Sequence, residues 1–129
     1  MIYLDASAIV KLVVEEAETE ALRSWLGRRR SPRVTSDISR IEVPRACMRA
    51  QPTAVLEAQR AVARFNTVPL SRRMLARAAS LQPPELRSLD AVHLASALGL
   101  RSHLRAFVAY DPRLVDAARA ARLPIERPS

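Results

Sequence analysis

Two acids each close a short apolar run and open a helix. Ile2-Tyr3-Leu4 ends on Asp5, and Phe107-Val108-Ala109-Tyr110 ends on Asp111. An acid placed there stands at the carboxyl end of a strand, where open α/β sheets form their ligand crevice. Parallel strands share that end, so Asp5 and Asp111 are expected to converge. A third acid, Asp90, opens the segment Ser88–Leu98, which is apolar on most sides and therefore belongs in a core. An unpaired charge in such a helix is costly. Glu42 follows Ser39-Arg40-Ile41 at the head of another helix. Clustered carboxylates repel one another and raise one another's pKa unless a cation neutralises them. With one cysteine and two histidines in the chain, oxygen ligands dominate. That donor set favours Mg²⁺ or Mn²⁺ over zinc, and such an ion can act on a phosphodiester.

Each acid also has a structural explanation. Asp5 and Asp111 immediately precede helices, where a carboxylate caps free N–H groups and meets the positive end of the dipole. Asp90 is favourable in a first turn, and Glu42 could face water. The combination is what points to a site. Ser7 could hydrogen-bond a metal-bound water or Asp5, or simply pack at the helix start. His93, three residues after Asp90, is either a hydrogen-bond partner of the acids or a satisfied core histidine. Lys11 reads as a solvated helix residue.

The elements that must position these groups follow in order. Residues 2–5 read as a strand, followed by a helix, then by a second helix that begins in the acidic run Glu15–Glu20. Gly27 and the basic run to Pro32 end that helix. Arg33–Ser36 is a short strand. The helix bearing Glu42 contains Pro44, which predicts a late start or a kink near Glu42. Gln51-Pro52-Thr53 breaks to a helix with Val55, Leu56, Ala58, Val62 and Phe65. Thr67–Leu70 is a strand candidate, Ser71 caps a helix reaching about Leu81, and Gly99 ends the helix of Asp90. Pro112 starts a last helix reaching Leu123, and Pro124-Ile125 is a candidate edge strand. Short strands alternating with helices predict an α/β fold with a parallel sheet.

Composition sets the remaining bounds. The 129 residues predict a single domain spanning the chain. Aromatic residues are 4%, so the core must be built from Ala, Leu, Val and Ile. Residues 1–20 carry five acids against Lys11, whereas the rest carries twenty arginines against eight acids. Guanidinium recognises phosphate in a fork geometry, so the surplus suits a polyanionic partner. Arg40, Arg45, Arg87 and Arg113 lie near the acids in sequence and are the candidate phosphate contacts. The lone Cys47 excludes an internal disulfide or thiolate zinc site. The chain shows neither a signal peptide nor an apolar run of membrane-spanning length, so a cytoplasmic protein is expected.

The opening Ile2-Tyr3-Leu4-Asp5-Ala6-Ser7-Ala8, Glu42 after Ser39-Arg40-Ile41, the string SLDAVHLASAL and the ending Ala109-Tyr110-Asp111-Pro112-Arg113-Leu114 resemble PIN-domain ribonucleases. More closely, they resemble the VapC toxins of bacterial toxin–antitoxin pairs, in order and over essentially the whole chain. The resemblance implies a three-layer α/β/α fold with a central parallel sheet. It implies a Mg²⁺- or Mn²⁺-dependent endoribonuclease with Asp5 and Asp90 as principal metal ligands. Glu42 would orient the metal and water, Asp111 would complete the cluster, and Ser7 matches a supporting hydroxyl. It also implies a homodimer held inactive by a VapB-type antitoxin whose C-terminal segment covers the site. Two departures stand out: Ala109 replaces a usual hydroxyl residue, and Pro44 interrupts the Glu42 helix.

Other classes fit less well. A non-catalytic RNA- or antitoxin-binding module on the same fold is the main alternative. A haloacid-dehalogenase-type phosphotransferase would need an acid where Ser7 stands. A phosphate-accepting receiver would need an acidic pair and a late lysine, whereas Lys11 is the only lysine.

Overall fold

The computed structural model describes all residues, Met1–Ser129. Strands β1 (Ile2–Leu4), β2 (Arg33–Ser36), β3 (Asn66–Val68), β4 (Ala106–Val108) and β5 (Ile125–Glu126) form one sheet in the order β3-β2-β1-β4-β5. Every pairing is parallel, with Ile2 opposite Arg33 on one side and opposite Ala106 on the other. The helices are α1 (Ala6–Val13), α2 (Thr19–Gly27), α3 (Ser39–Ala50), α4 (Val55–Ala63), α5 (Arg72–Ala79), α6 (Ser88–Leu98) and α7 (Pro112–Ala120).

Alternation along β1 and β4 builds the layers, because successive strand side chains point to opposite faces. Ile2, Leu4, Ala106 and Val108 pack into a core with residues of α1 to α4. Tyr3 and Phe107 point the other way, into a core with Leu94 of α6 and Leu114, Val115 and Ala118 of α7. Helix α5 packs on α6 through Ala78, Ala91, Val92 and Ala95. The result is the expected α/β/α sandwich. The Tyr3 and Phe107 rings stack at 5.4 Å between centroids, 10° apart in plane, a contact that adds roughly 0.5–1.5 kcal/mol to their burial. Apart from Trp25 and Cys47 the rest of the apolar core is aliphatic, in keeping with the composition.

Sheet order locates the crevice. From β1 the chain winds outward through β2 and β3, then returns to the other side of β1 to place β4 and β5. The direction reverses between β1 and β4, and their carboxyl ends flank the opening that a doubly wound sheet leaves for a ligand.

Three expectations change. Pro44 neither delays α3 nor breaks it: the helix starts at Ser39 and runs through Pro44 to Ala50. The Pro44 ring is buried, and that burial offsets the lost hydrogen-bond donor. Helix α7 stops at Ala120 and a turn follows, with Arg122 at φ 62. Lys11 is not a solvated residue, being 7% exposed. Its ammonium donates to Glu16 at 2.8 Å and Glu18 at 2.9 Å and lies over the Tyr110 ring. Part of the acidic run therefore serves to neutralise a buried cation. No helix is long and apolar enough to cross a membrane.

Candidate active site

Asp5 directly follows β1 and caps α1, with Oδ1 accepting the Ala8 N–H at 2.9 Å. The Ser7 hydroxyl lies 2.9 Å from both carboxylate oxygens, so the supporting role read for Ser7 has a hydrogen bond behind it. Asp111 lies three residues beyond β4 and caps α7, with Oδ1 accepting from Arg113 at 2.9 Å and Leu114 at 3.3 Å. Asp90 stands in the first turn of α6 and Glu42 in the first turn of α3. Each acid thus sits at a helix N-terminus whose dipole favours negative charge.

All four acids line one cleft of about 700 Å³, together with Ser7 and His93. The cleft is basic at its rim. Arg45 and Arg87 reach it, whereas Arg40 is paired with Asp37 at 2.8 Å and Arg113 lines a different groove. Arg49 also lines the cleft, in addition to the arginines expected there from sequence. A signal for it exists: Glu42, Arg45 and Arg49 recur at one-face helical spacing.

Both readings of His93 hold: it is a buried, fully hydrogen-bonded core histidine, and one of its partners is an acid of the cleft. Its ring is 1% exposed, and Nε2 lies 2.7 Å from Glu42 Oε1 while Nδ1 lies 2.7 Å from the Tyr3 hydroxyl. A carboxylate only accepts, so Nε2–H donates to Glu42 and Nδ1 is left to accept from Tyr3. Tyr3 stands on β1, two residues before Asp5. A chain of hydrogen bonds therefore fixes Glu42 from the sheet, and Glu42 Oε2 makes no hydrogen bond within the protein.

Burial holds the Asp5 carboxyl above the ordinary carboxylate range, and the charge of Asp90 adds to this. Burial also raises Asp90, with Asp111 adding and Arg87 opposing. No three acidic, histidine or cysteine groups approach closely enough to cage an ion as they stand. Arg87 bridges Asp90 and Asp111 instead, at 3.3 and 3.2 Å. Hard oxygen donors whose charged forms are destabilised by burial and by each other suit a hard divalent cation.

A model of the PIN domain matches residues 2–120. This chain belongs to the PIN-domain family. Ribonuclease VapC46 of Mycobacterium tuberculosis (strain ATCC 25618 / H37Rv) is 44% identical over 128 residues, covering 99% of this chain and 98% of that protein. The crystal structure of Mycobacterium tuberculosis VapC20, described as a Sarcin-Ricin loop cleaving toxin, aligns with a TM-score of 0.77 at 17% identity over 99% of this chain and 100% of that one. VapBC2 from Rickettsia felis, solved bound to a DNA fragment from its promoter, aligns with a TM-score of 0.67 at 13% identity over 100% of both chains. Those two likenesses bear on the fold.

Neither departure from the PIN-domain pattern dislodges an acid. Ala109 is fully buried, and Asp111 finds its hydrogen bonds at α7 and Arg87 without a hydroxyl there. Helix α3 carries Glu42 into the cleft despite Pro44.

The raised carboxyls of this PIN-domain site set a pH dependence. Protons compete with any cation for Asp5 and Asp90, and they do so at higher pH than at an ordinary carboxylate. As pH is lowered, Mn²⁺ affinity is therefore expected to fall in a range above that in which unperturbed carboxylates protonate. Calorimetric titration of Mn²⁺ across that range checks this. A flat affinity down to the ordinary carboxylate range would count against Asp5 and Asp90 as ligands.

Proposed function

We propose that this chain is a Mg²⁺- or Mn²⁺-dependent endoribonuclease acting as the toxin of a toxin–antitoxin pair. One observation carries the reading: Asp5, Glu42, Asp90 and Asp111, from four separate elements, line a single cleft at the β1/β4 switch point. Membership of the PIN-domain family and the 44% identity to a protein named Ribonuclease VapC46 support it.

In this reading Asp5 and Asp90 are the principal holders of the ion, with Asp111 and Glu42 completing its surroundings. When bound, the ion activates water and neutralises charge developing on a phosphodiester. The chain's own groups do the rest. Ser7 keeps the Asp5 carboxylate oriented through its hydroxyl. Glu42 Oε2 accepts a hydrogen bond from the attacking water, because Oε1 is already bound to His93. Arg45, Arg49 and Arg87 hold the phosphates flanking the scissile bond. Water adds at phosphorus as the P–O bond to the leaving nucleotide breaks.

A VapB-type antitoxin is the proposed protein partner, its C-terminal segment lying over the cleft, and the toxin is proposed to be a homodimer. Ile41 and Leu89, 58% and 45% exposed at the cleft, supply apolar surface for such a segment.

The test is incubation of RNA with purified protein in Mn²⁺, Mg²⁺ or EDTA, alongside Asp90→Asn. Cleavage that needs the ion and vanishes in the variant is the expected outcome. Equal cleavage by both proteins would point to a contaminant. RNA or antitoxin binding with no cleavage in any ion, on target RNAs of varied sequence, would favour the non-catalytic module.

A further inference from the structure

Asp111 has one carboxylate oxygen to spare, and Arg87 holds it. Oδ1 is spent on the Arg113 and Leu114 N–H groups that it caps. Oδ2 accepts from Arg87 Nη2 at 3.2 Å. The same guanidinium donates from Nε to Asp90 Oδ2 at 3.3 Å. Arg87 makes no other side-chain hydrogen bond, and its side chain is 63% exposed at the rim of the cleft. Its positive charge partly cancels the repulsion between the two acids.

We propose that Arg87 is an internal counter-ion that exchanges places with the catalytic cation. Without the ion it occupies the Asp90–Asp111 pair; when the ion is loaded, it turns outward to a phosphate of the bound RNA. This rests on the nuclease reading above.

Three features carry the proposal. The free oxygen of Asp111 cannot serve the guanidinium and a divalent ion in full at once. A +2 charge beside Asp90 repels the guanidinium, whose long contacts through an exposed side chain are weak and easily yielded. Once released, Arg87 faces the cleft that Arg45 and Arg49 also line, with five donors in a fork that suits phosphate. Ion binding thereby creates part of the RNA site. By thermodynamic reciprocity RNA then tightens the ion by the same factor.

Arg87→Gln tests this, since an exposed side chain can be shortened without disturbing the fold, which circular dichroism verifies. Mn²⁺ is titrated into wild type and variant without RNA. The variant is expected to bind Mn²⁺ about threefold to tenfold more tightly, because the competing cation is gone. A fluorescent single-stranded RNA oligonucleotide is then titrated in EDTA and in Ca²⁺, an oxygen-seeking ion. In EDTA the variant is expected to lose less RNA binding than in Ca²⁺, because Arg87 is then held by Asp90 and Asp111. In Ca²⁺ wild type binds more tightly, with a salt slope steeper by about 0.7. Equal or weaker Mn²⁺ binding by the variant would overturn the exchange while leaving the nuclease reading intact. So would a deficit in RNA binding that is the same in EDTA as in Ca²⁺. Failure of both proteins to bind Mn²⁺ would overturn the nuclease reading and the exchange together.

Discussion

Asp5→Asn is expected to abolish ion-dependent RNA cleavage while raising the melting temperature of the ion-free protein by a few degrees. The two effects have one cause. Asp5 is 4% exposed, and burial raises its carboxyl above the ordinary range, with Asp90 adding to the shift. The folded state therefore binds this proton more readily than the unfolded chain does. Stability falls as pH rises from the unfolded carboxylate value through the raised folded one, and above that window the full cost persists. Neutral pH lies on the costly side. Asparagine removes the charge, keeps an oxygen for the Ala8 N–H, and still meets the Ser7 hydroxyl. The stabilisation should therefore shrink as pH is lowered toward the carboxylate range, which thermal melts in EDTA at several pH values would reveal. Activity goes the other way. Loss of an outer-shell partner at a metal site costs about 10- to 100-fold, so loss of a direct ligand should cost at least about a hundredfold. A variant both less stable and inactive would point to a capping role for Asp5 rather than a ligand role.

His93→Ala is expected to lower stability by about 3 kcal/mol, combining a buried cavity with the stranded Tyr3 hydroxyl and Glu42 carboxylate. For a chain of this size that is a fall in melting temperature of roughly 10 °C or more. Whatever protein remains folded should also bind Mn²⁺ more weakly, because Glu42 is no longer fixed. His93→Gln keeps a donor toward Glu42 and should recover part of both losses. A double-mutant cycle with Glu42→Gln separates the roles. If His93 acts on the ion through Glu42, its effect on Mn²⁺ affinity should largely disappear in the Glu42→Gln background. An unchanged effect there would mean that His93 contributes to the fold alone.

Much of the fold and the site is legible in the sequence, and the reasons are local. An apolar run stopping at an acid marks a strand end, which is why the pattern of residues alone places Asp5 and Asp111 at the carboxyl edge of the sheet. Ser88–Leu98 is legible to the residue, because its apolar surface leaves no alternative to a core helix and Gly99 ends it. The strand near Asn66 is harder: β3 is an edge strand, partly exposed, and its hydrophobic run continues past Val68 into Leu70, outside the sheet. Pairings distant in sequence leave little trace. The bond from His93 to Glu42 spans 51 positions and that from Arg87 to Asp111 spans 24, so neither follows from spacing. Lys11 misleads because its partners Glu16 and Glu18 lie beyond the end of its own helix, across a turn that periodicity does not cover. The residue pattern names the chemistry of the acids and singles out His93 and Arg87, but not the bonds by which these two groups hold the acids.

The most direct test of the nuclease site is crystallography of the protein soaked in Mn²⁺, read at the manganese anomalous edge. The expected result is an anomalous peak at the carboxyl ends of β1 and β4, bordered by Asp5 and Asp90, and absent from Asp90→Asn crystals treated identically. Saturating Mn²⁺ with no peak in that cleft, or a peak that persists unchanged in Asp90→Asn, would contradict the assignment of these carboxylates as a cation site.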